Sequence, residues 1–239
     1  MCYDYDIQTI EARTKLETIH PIQNIDINEL YFETVFKYIK NGQSILDIGT
    51  GNGYILKTIV QKSTNQELEL YGVDNSEEMV SLARNNLSEQ AIIIKADANH
   101  LPFSDRRFDL ITAKNVTRIN AKEIYRVLKP GGFFVFREYG TNKGLCEIAS
   151  LFPGRIIRQR DPSFYANNLE KAGLTIVSLD SYRVVRKYTS IEELIVIINS
   201  FPFIENFSQA DEQTIIKKIH DPVVTSDPFI LVCRKEEAL

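Results

Sequence analysis

The chain has 239 residues, of which 44% are hydrophobic and 25% are charged, and its formal net charge is −4. This composition is ordinary for a soluble globular protein, and the length allows one sizeable core with appended helices. The slight excess of acids argues against a surface that attracts nucleic acid as a whole, although a local basic surface stays open.

The cysteines, the N-terminus and the apolar runs all point to the cytoplasm. Cys2, Cys146 and Cys233 are far apart and form no C-x-x-C pair, which argues against a structural zinc site and against a disulfide framework. Residues 1–6 are polar and acidic, unlike a signal peptide. The longest apolar stretch, residues 194–198, is too short to span a bilayer. We therefore expect a cytoplasmic protein with no metal site and no membrane contact.

The first 43 residues precede the first predicted strand. Apolar residues recur at helical spacing between residues 27 and 39, which predicts an amphipathic helix that packs on a sheet. Asn41-Gly42 then supplies the signal for a helix C-terminus.

The next stretch is the most informative in the chain. Residues 45–48 form a short apolar run typical of a strand buried in a parallel sheet, yet Asp47 stands inside it. Gly49, Gly51 and Gly53 follow, and a helical apolar pattern then begins, so the loop presents its amides at a helix N-terminus. The spacing is D-x-G-x-G-x-G, which differs from the G-x-G-x-x-G of dinucleotide-binding folds. A plain βα turn with extra glycines is the alternative.

Two further acids follow predicted strands. The second strand, residues 68–73, ends at Asp74, and the third, residues 91–95, is followed by Asp97. Each acid lies about one βαβ crossover beyond the previous one. Ligands bind at the carboxyl ends of strands in an open α/β sheet, so three acids in register with the glycine loop predict a ligand site. Asp74 is suited to accept both hydroxyls of a ribose. Taken singly, each acid is equally compatible with a turn or cap role.

A fourth predicted strand starts at Phe108 and ends at Lys114 and Asn115. Asn115 either orients a nucleophile or caps the next helix. That helix ends in L-K-P-G-G at residues 128–132, where Pro stops the helix and Gly permits the reversal. A fifth strand follows and leads to Tyr139 at the same edge of the sheet.

The run from residue 44 to residue 138 resembles the class I S-adenosylmethionine-dependent methyltransferases. The D-x-G-x-G-x-G stretch is similar to motif I of that family, and the L-P-F, F-D-x-I and L-K-P-G-G segments follow it as they do in the family. The resemblance implies an α/β fold with a Rossmann-like seven-stranded, mostly parallel sheet flanked by helices. The implied strand order is 3-2-1-4-5-7-6, with strand 7 antiparallel and a helical insertion between strands 6 and 7.

The resemblance also implies a division of the chain. Residues 1–43 would be an N-terminal helical lid segment, in which Tyr5 and Arg13 are read either as lid residues or as part of a surface helix. Residues 44–239 would be the methyltransferase domain, with residues 180–228 as a substrate-cap insertion. That insertion is far longer than a hairpin loop. Its apolar helix face is also compatible with a dimer contact, so both a monomer and a homodimer stay open.

The implied cofactor is S-adenosyl-L-methionine, with S-adenosyl-L-homocysteine as the product. In the family the glycine loop wraps the methionine part, the acid after strand two holds the ribose, and the acid after strand three accepts the adenine amino group. An apolar side chain just after the second acid flanks the adenine; Met79 matches it, with plain core packing as its alternative. The matching cofactor-binding positions are Asp47, Gly49, Thr50, Gly51, Gly53, Asp74, Asn75, Met79, Asp97, Ala98, Lys114 and Asn115.

The sequence says less about which residues bind the methyl acceptor. A group of arginines, Arg155, Arg158 and Arg160, would hold an anionic substrate or form a solvated rim. The substrate-binding candidates are Tyr139, Arg155, Tyr165 and Tyr182. The catalytic candidates are Tyr139, Asn115 and His220, although a His near a chain end is more often structural.

The implied activity is methyl transfer by in-line displacement to a small-molecule or peptide acceptor, at oxygen or nitrogen. The protein would place donor and acceptor in line and exclude water. The Asn/Asp-Pro-Pro-Tyr tetrapeptide of many aminomethyltransferases is missing after strand four, which weakens the case for nucleobase or amide nitrogen.

Two other functions stay open. One is an RNA methyltransferase that uses Lys114, Arg118, Lys122 and the arginines at residues 155–160, against which the net charge counts. The other is an S-adenosylmethionine-binding protein without transfer activity, or a structural partner of an enzyme.

Overall fold

The computed structural model describes residues 26–63, 67–116, 118–157, 160–201 and 203–237. The chain divides into two compact units. Of the described residues, the sheet unit comprises those within 31–138, 162–180 and 230–237, and the insertion unit comprises those within 26–30, 139–161 and 181–229.

The sheet unit is built on a seven-stranded sheet. Its strands are β1 (Ser44–Ile48), β2 (Glu69–Asp74), β3 (Ile92–Lys95), β4 (Phe108–Lys114), β5 (Leu128–Tyr139), β6 (Thr175–Ser181) and β9 (Pro228–Arg234). Their order is β3-β2-β1-β4-β5-β9-β6, and the pairs from β3 to β5 are parallel. Every residue of β1 is buried, as its apolar run predicts.

The last strand runs against its neighbour. Gly131, near the start of β5, donates its N–H to the carbonyl of Lys235, which follows β9. Gly140, just after β5, donates to the carbonyl of Asp227, just before β9. This pattern is antiparallel. The predicted order 3-2-1-4-5-7-6 is therefore confirmed, with β9 as the seventh strand of that prediction.

Two helices of the sheet unit begin at polar side-chain caps, and one begins at the glycine loop. They are α1 (Ile27–Phe36), α2 (Tyr54–Lys62), α3 (Glu77–Leu87), α4 (Ala121–Val127) and α6 (Pro162–Lys171), with a 3₁₀ turn at Ser88–Gln90. The Ser76 hydroxyl accepts the Met79 N–H at 3.3 Å, and the Asn120 amide oxygen accepts the Lys122 N–H at 3.1 Å. In contrast, α2 begins at Gly53 with no side-chain cap.

The L-K-P-G-G segment differs from its prediction as a separate turn. It lies inside β5, where Phe108 pairs with Leu128 but Leu110 pairs with Phe133, so four residues bulge out of the ladder. Gly131 has a φ of 78°, which permits the local reversal without ending the strand.

The insertion unit has a core of its own. It contains α5 (Cys146–Leu151), α7 (Ile191–Ser200) and α8 (Gln209–Lys218), together with an antiparallel ribbon of β7 (Val184–Lys187) and β8 (Val223–Ser226). Ile148, Leu194, Ile198, Ile215 and Val224 form the centre of the cluster. The helices agree with the predicted helical insertion, whereas the ribbon was not predicted.

The predicted lid falls mostly on residues 1–25, which include Tyr5 and Arg13 and lie outside the described residues. The proposed domain boundaries at residues 43/44 and around 180–228 therefore stay a prediction. No helix in the described ranges combines the length and the apolar character that crossing a bilayer requires.

Candidate active site

The glycine loop follows β1 and is held against β2. The N–H groups of Gly49 and Thr50 both donate to the Val73 carbonyl, at 2.8 and 2.9 Å. Gly49, Gly51 and Gly53 have φ values of 68°, 54° and 84°, all in the left-handed region that favours glycine. A Cβ built on Gly53 would lie 2.7 Å from Cδ1 of Leu87 on α3. This glycine lets α2 pack closely on α3, and the loop enters the helix directly.

Gly51 is different, because its side of the loop is open. A Cβ built there has no other atom within 4 Å. Its N–H donates to Oδ2 of Asp74 at 2.9 Å. The loop therefore exposes backbone at Gly51 while the acid at the end of β2 fixes its position.

Asp74 joins the glycine loop to α3. Its Oδ2 accepts from Gly51, and its Oδ1 accepts the N–H of Ser76 at 3.0 Å. An ionised carboxylate has about four acceptor positions. The half-buried Asp74 thus keeps capacity for two more hydrogen bonds, the number that a ribose diol donates.

Asp47 lies within β1 and is only 1% exposed. Its Oδ1 accepts from the Thr112 hydroxyl of β4 at 2.7 Å, whereas Oδ2 has no hydrogen-bond partner among the described residues. Burial raises the pKa of Asp47 to about 7, and the Thr112 and Thr50 hydroxyls and the Lys114 charge counter this only in part. The result is a buried acid that a cationic ligand would stabilise.

The other predicted cofactor residues follow β2 and β3. Asp97 is exposed, and its Oδ1 accepts both from the N–H and from the side-chain amide of Asn99, at 2.9 Å each. The Ala96 N–H donates to the Asp74 carbonyl at 2.9 Å, which ties the segment after β3 to the end of β2. Met79 is buried at the start of α3, Asn75 is exposed and Ala98 is half-buried.

The ends of β4 and β5 bring two buried cations to this edge. Lys114 is 8% exposed, and its Nζ lies 5.1 Å from the centre of the Tyr54 ring. Arg137 is 1% exposed, and its Nη1 donates to Oδ1 of Asn115. Asn115 is exposed and has a φ of 57°. Positive charge is thus held close to the predicted methyl-transfer edge.

The sequence prediction missed Arg137, Thr112 and Tyr31. Tyr31 of α1 is fully buried, its hydroxyl donates to the Ala113 carbonyl at 3.4 Å, and burial raises its pKa well above the usual value. The signal for Arg137 was present, since a charge in the apolar run of β5 is as unusual as Asp47 in β1. Thr112 and Tyr31 gave no such signal, because threonine is an ordinary strand residue and tyrosine is often partly buried.

The acceptor-side candidates are spread over both units. Within the insertion unit, Nη1 of Arg186 lies 3.3 Å from the Tyr139 hydroxyl, Tyr182 is half-buried, and His220 is exposed after α8. Arg155 pairs with Asp211 at 2.8 Å.

Two candidates occupy structural positions. The remaining Arg155 donors bind the main-chain carbonyls of Glu205 and Asn206, so its guanidinium is committed within the insertion unit. Within the sheet unit, Tyr165 is 2% exposed, and its ring packs on that of Phe136 with centroids 5.1 Å apart. Arg158 lies outside the described residues. In the described part of the chain no group of three or more His, Cys, Asp or Glu residues is arranged to hold a metal ion.

The geometry fits S-adenosylmethionine. That molecule carries a sulfonium and an ammonium, and β1 offers the buried acid Asp47, whose Oδ2 has no hydrogen-bond partner in the described part of the chain. It also carries a ribose diol, for which Asp74 keeps acceptor positions. The open face at Gly51 leaves room for a ligand to approach the backbone.

Comparison with known proteins agrees with this fit. Residues 39–162 match a family described as a methyltransferase domain. The ubiquinone/menaquinone biosynthesis C-methyltransferase UbiE of Rickettsia prowazekii is 30% identical over 201 residues, which cover 75% of this chain and 81% of that protein.

Solved structures show the same fold. The YcgJ protein of Bacillus subtilis has a TM-score of 0.63 at 18% identity and covers 88% of this chain and 100% of its own. Haemonchus contortus phosphoethanolamine N-methyltransferase 2, solved with S-adenosylhomocysteine, has a TM-score of 0.56 at 19% identity and covers 87% of this chain and 53% of its own. The solved structures show the fold alone, whereas the family match and the 30% identical relative also show family membership. The chain belongs to the class I S-adenosylmethionine-dependent methyltransferases and is an enzyme of that family.

Proposed function

We propose that this methyltransferase acts on a small molecule with a hydroxylated aromatic or enolisable ring, and that it methylates a ring carbon. The observation that carries this proposal is the relationship to a quinone-biosynthesis C-methyltransferase, which spans 75% of the chain rather than the cofactor loop alone. The sequence prediction named oxygen and nitrogen acceptors; this relationship adds carbon. Oxygen of the same molecule is the second candidate.

We propose roles for the cofactor-binding residues that combine the family resemblance with the geometry of the site. We assign Gly49, Gly51 and the buried Asp47 to the methionine part, because Gly51 has an open side and Asp47 is an acid suited to an ammonium. Asp74 is assigned to the ribose, and Asp97 to the adenine amino group. Bound S-adenosylmethionine supplies an activated methyl group whose sulfur leaves as a neutral thioether.

The acceptor edge favours an anionic oxygen. A ring carbon becomes nucleophilic when a neighbouring hydroxyl ionises, and a nearby positive charge lowers the pKa of that hydroxyl. Lys114 and Arg137 provide two buried positive charges at the ends of β4 and β5. In the overall reaction the ring carbon exchanges one proton for the methyl group, and that proton is released to solvent.

RNA is the less supported acceptor. The net charge is −4, and Arg155, one of the residues that an RNA site would need, is held by Asp211 and by main-chain carbonyls. Among the described members of that set, Arg118 and Lys122, near α4, are the exposed ones. RNA therefore enters the experiment as a competing acceptor.

The test is an acceptor screen with isotopically labelled S-adenosylmethionine. Naphthohydroquinone, kept reduced with dithionite, total RNA and a peptide mixture are offered to the purified chain, and mass spectrometry locates the added methyl group. We expect transfer to a ring carbon of the hydroquinone and none in an Asp74→Ala variant. The Asp180→Ala variant, which removes an exposed carboxylate at the end of β6, is the matched control. Label found only in RNA, and lost at high salt, would contradict the proposal.

We also propose that the enzyme works in the cytoplasm. Cys146 and Cys233 are both free thiols. Burial raises the pKa of the Cys146 thiol to about 11, with further contributions from Asp227 and Glu147, so the thiol stays protonated and unreactive. This suits a reducing compartment.

A further inference from the structure

The turn after β4 fixes one side chain in an unusual way. Asn115 has a φ of 57°, a conformation that costs energy for a residue other than glycine. Its N–H donates to the Arg137 carbonyl at 2.9 Å, and its Oδ1 accepts from Nη1 of the same arginine. Main chain and side chain of Asn115 are therefore both held by one buried residue of β5.

The arginine decides which way the Asn115 amide faces. A guanidinium has only donors, so the atom of Asn115 that meets Nη1 must be the oxygen. The amide nitrogen then points away from Arg137. Nδ2 donates no hydrogen bond to any described residue, and Asn115 is exposed. The side chain thus presents two N–H donors to solvent or ligand, while its oxygen is engaged by Arg137.

This donor stands beside the cofactor loop. A Cβ built on Gly49 would overlap Cγ2 of Val116, the residue after Asn115. The turn at the end of β4 and the loop at the end of β1 are consequently in direct contact. A group that meets the Asn115 amide in this place must offer a lone pair.

We infer that Asn115 is a specificity-determining donor, that Arg137 is its positioning residue, and that the methyl acceptor carries a phenolate, enolate or ketone oxygen next to the methylated atom. This rests on the proposed function for the existence of a small-molecule acceptor. A neutral amine offers one lone pair and an ammonium offers none, whereas a phenolate, enolate or ketone oxygen offers at least two and can accept from both N–H groups. The geometry selects oxygen-bearing acceptors over amines.

The first experiment tests whether Asn115 donates a hydrogen bond to a bound phenolate. Para-nitrophenol is titrated into the complex with S-adenosylhomocysteine, and the absorbance of its phenolate reports its pKa when bound. We expect the bound pKa to lie below that of the free phenol in the wild type. In Asn115→Ala it should rise by about one pH unit, the size of a hydrogen bond to a charged group. No difference between the two proteins, or no binding to either, would overturn the inference.

Substitutions at Asn115 and Arg137 distinguish a loss of the hydrogen bond to the acceptor from a loss of folding. Asn115→Asp keeps an oxygen for Arg137 but removes both donors, so it should resemble Asn115→Ala or exceed it. Arg137→Lys keeps a charged donor without the planar fork and should give an intermediate pKa. Asn167→Asp makes the same charge change at an exposed asparagine on α6 and should match the wild type. A far-UV circular dichroism spectrum like that of the wild type, recorded without ligand, shows that each of the four variants is folded.

The second experiment compares a matched pair of acceptors, naphthohydroquinone and diaminonaphthalene. We expect kcat/KM to favour the oxygen member by roughly 100-fold in the wild type and much less in Asn115→Ala. Equal rates, or a preference for the diamine, would overturn the inference. Transfer to neither compound, with S-adenosylhomocysteine still bound, would contradict the proposed acceptor class instead, and the nitrophenol titration would still decide the role of Asn115.

Discussion

Asp47 carries an energetic cost that depends on pH. Its pKa in the folded chain, about 7, lies above the 3.8 of an unperturbed aspartate because burial disfavours the charged form. The folded state therefore binds this proton more tightly than the unfolded state. The free energy of unfolding consequently falls as the pH rises from about 4 to about 7, and above that range the loss is complete.

An Asp47→Asn variant should remove this dependence. The amide keeps an oxygen for the Thr112 hydroxyl but has no charge to bury. We expect the variant to be more stable than the wild type at pH about 8, by up to about 4 kcal/mol, and similar to it at pH about 4. Urea unfolding at both pH values measures the difference. Asp180→Asn, at an exposed carboxylate, is the control, and an equal gain at both pH values would contradict the account.

Single residues show how far sequence reasoning reaches. The glycines and the three acids were found because glycine and aspartate are out of place beside apolar strands. The Arg137–Asn115 contact was not found, although both residues were visible, because it joins strands 22 residues apart in the chain. Only the parallel pairing of Lys114 with Arg137 brings the two side chains together.

The glycine loop joins a strand to a helix, and its glycines serve different ends. Gly53 lets α2 approach Leu87, whereas Gly51 faces open space. A methyl group at Gly51 would thus meet only a bound ligand. A substitution at Gly53 therefore probes helix packing, whereas a substitution at Gly51 probes ligand binding.

Gly51→Ala should separate binding from stability. We expect a loss of about 1–2 kcal/mol from the left-handed backbone alone, together with an S-adenosylhomocysteine affinity weaker by at least about tenfold. Gly42→Ala is the matched control, since its φ is 78° and a Cβ there also meets nothing within 4 Å. It should lose similar stability and keep full affinity in calorimetry. Unchanged affinity in Gly51→Ala would show that the ligand does not reach this backbone.

Elements with strong periodicity were predictable, and short ones were not. Periodicity and turn residues predicted the strands and helices of the sheet unit, whereas the sheet order came from the resemblance to the family. The β7–β8 ribbon pairs four residues with four across a long stretch of chain, and its inward face carries the charged Arg186. The alternation of apolar and polar residues in β7 was therefore too weak to predict a strand there.

At the scale of the molecule, cofactor binding should appear as thermal stability. A ligand at 100 times its Kd adds about 2.7 kcal/mol to the folded state. For a chain of this size that corresponds to a Tm increase of about 5–10 °C. We expect this shift with S-adenosylhomocysteine but not with homocysteine alone, and little of it in Asp74→Ala. An equal shift in Asp74→Ala would contradict the role of that carboxylate.

The position of β9 has a consequence for synthesis on the ribosome. It lies between β5 and β6, yet it follows both in the chain. Until residues 228–234 have left the exit tunnel, β5 and β6 each present an unpaired backbone edge to other nascent chains. Folding of the sheet is therefore completed only once β9 has emerged, and the apolar, fully buried Phe229–Cys233 segment acts as the closing strand.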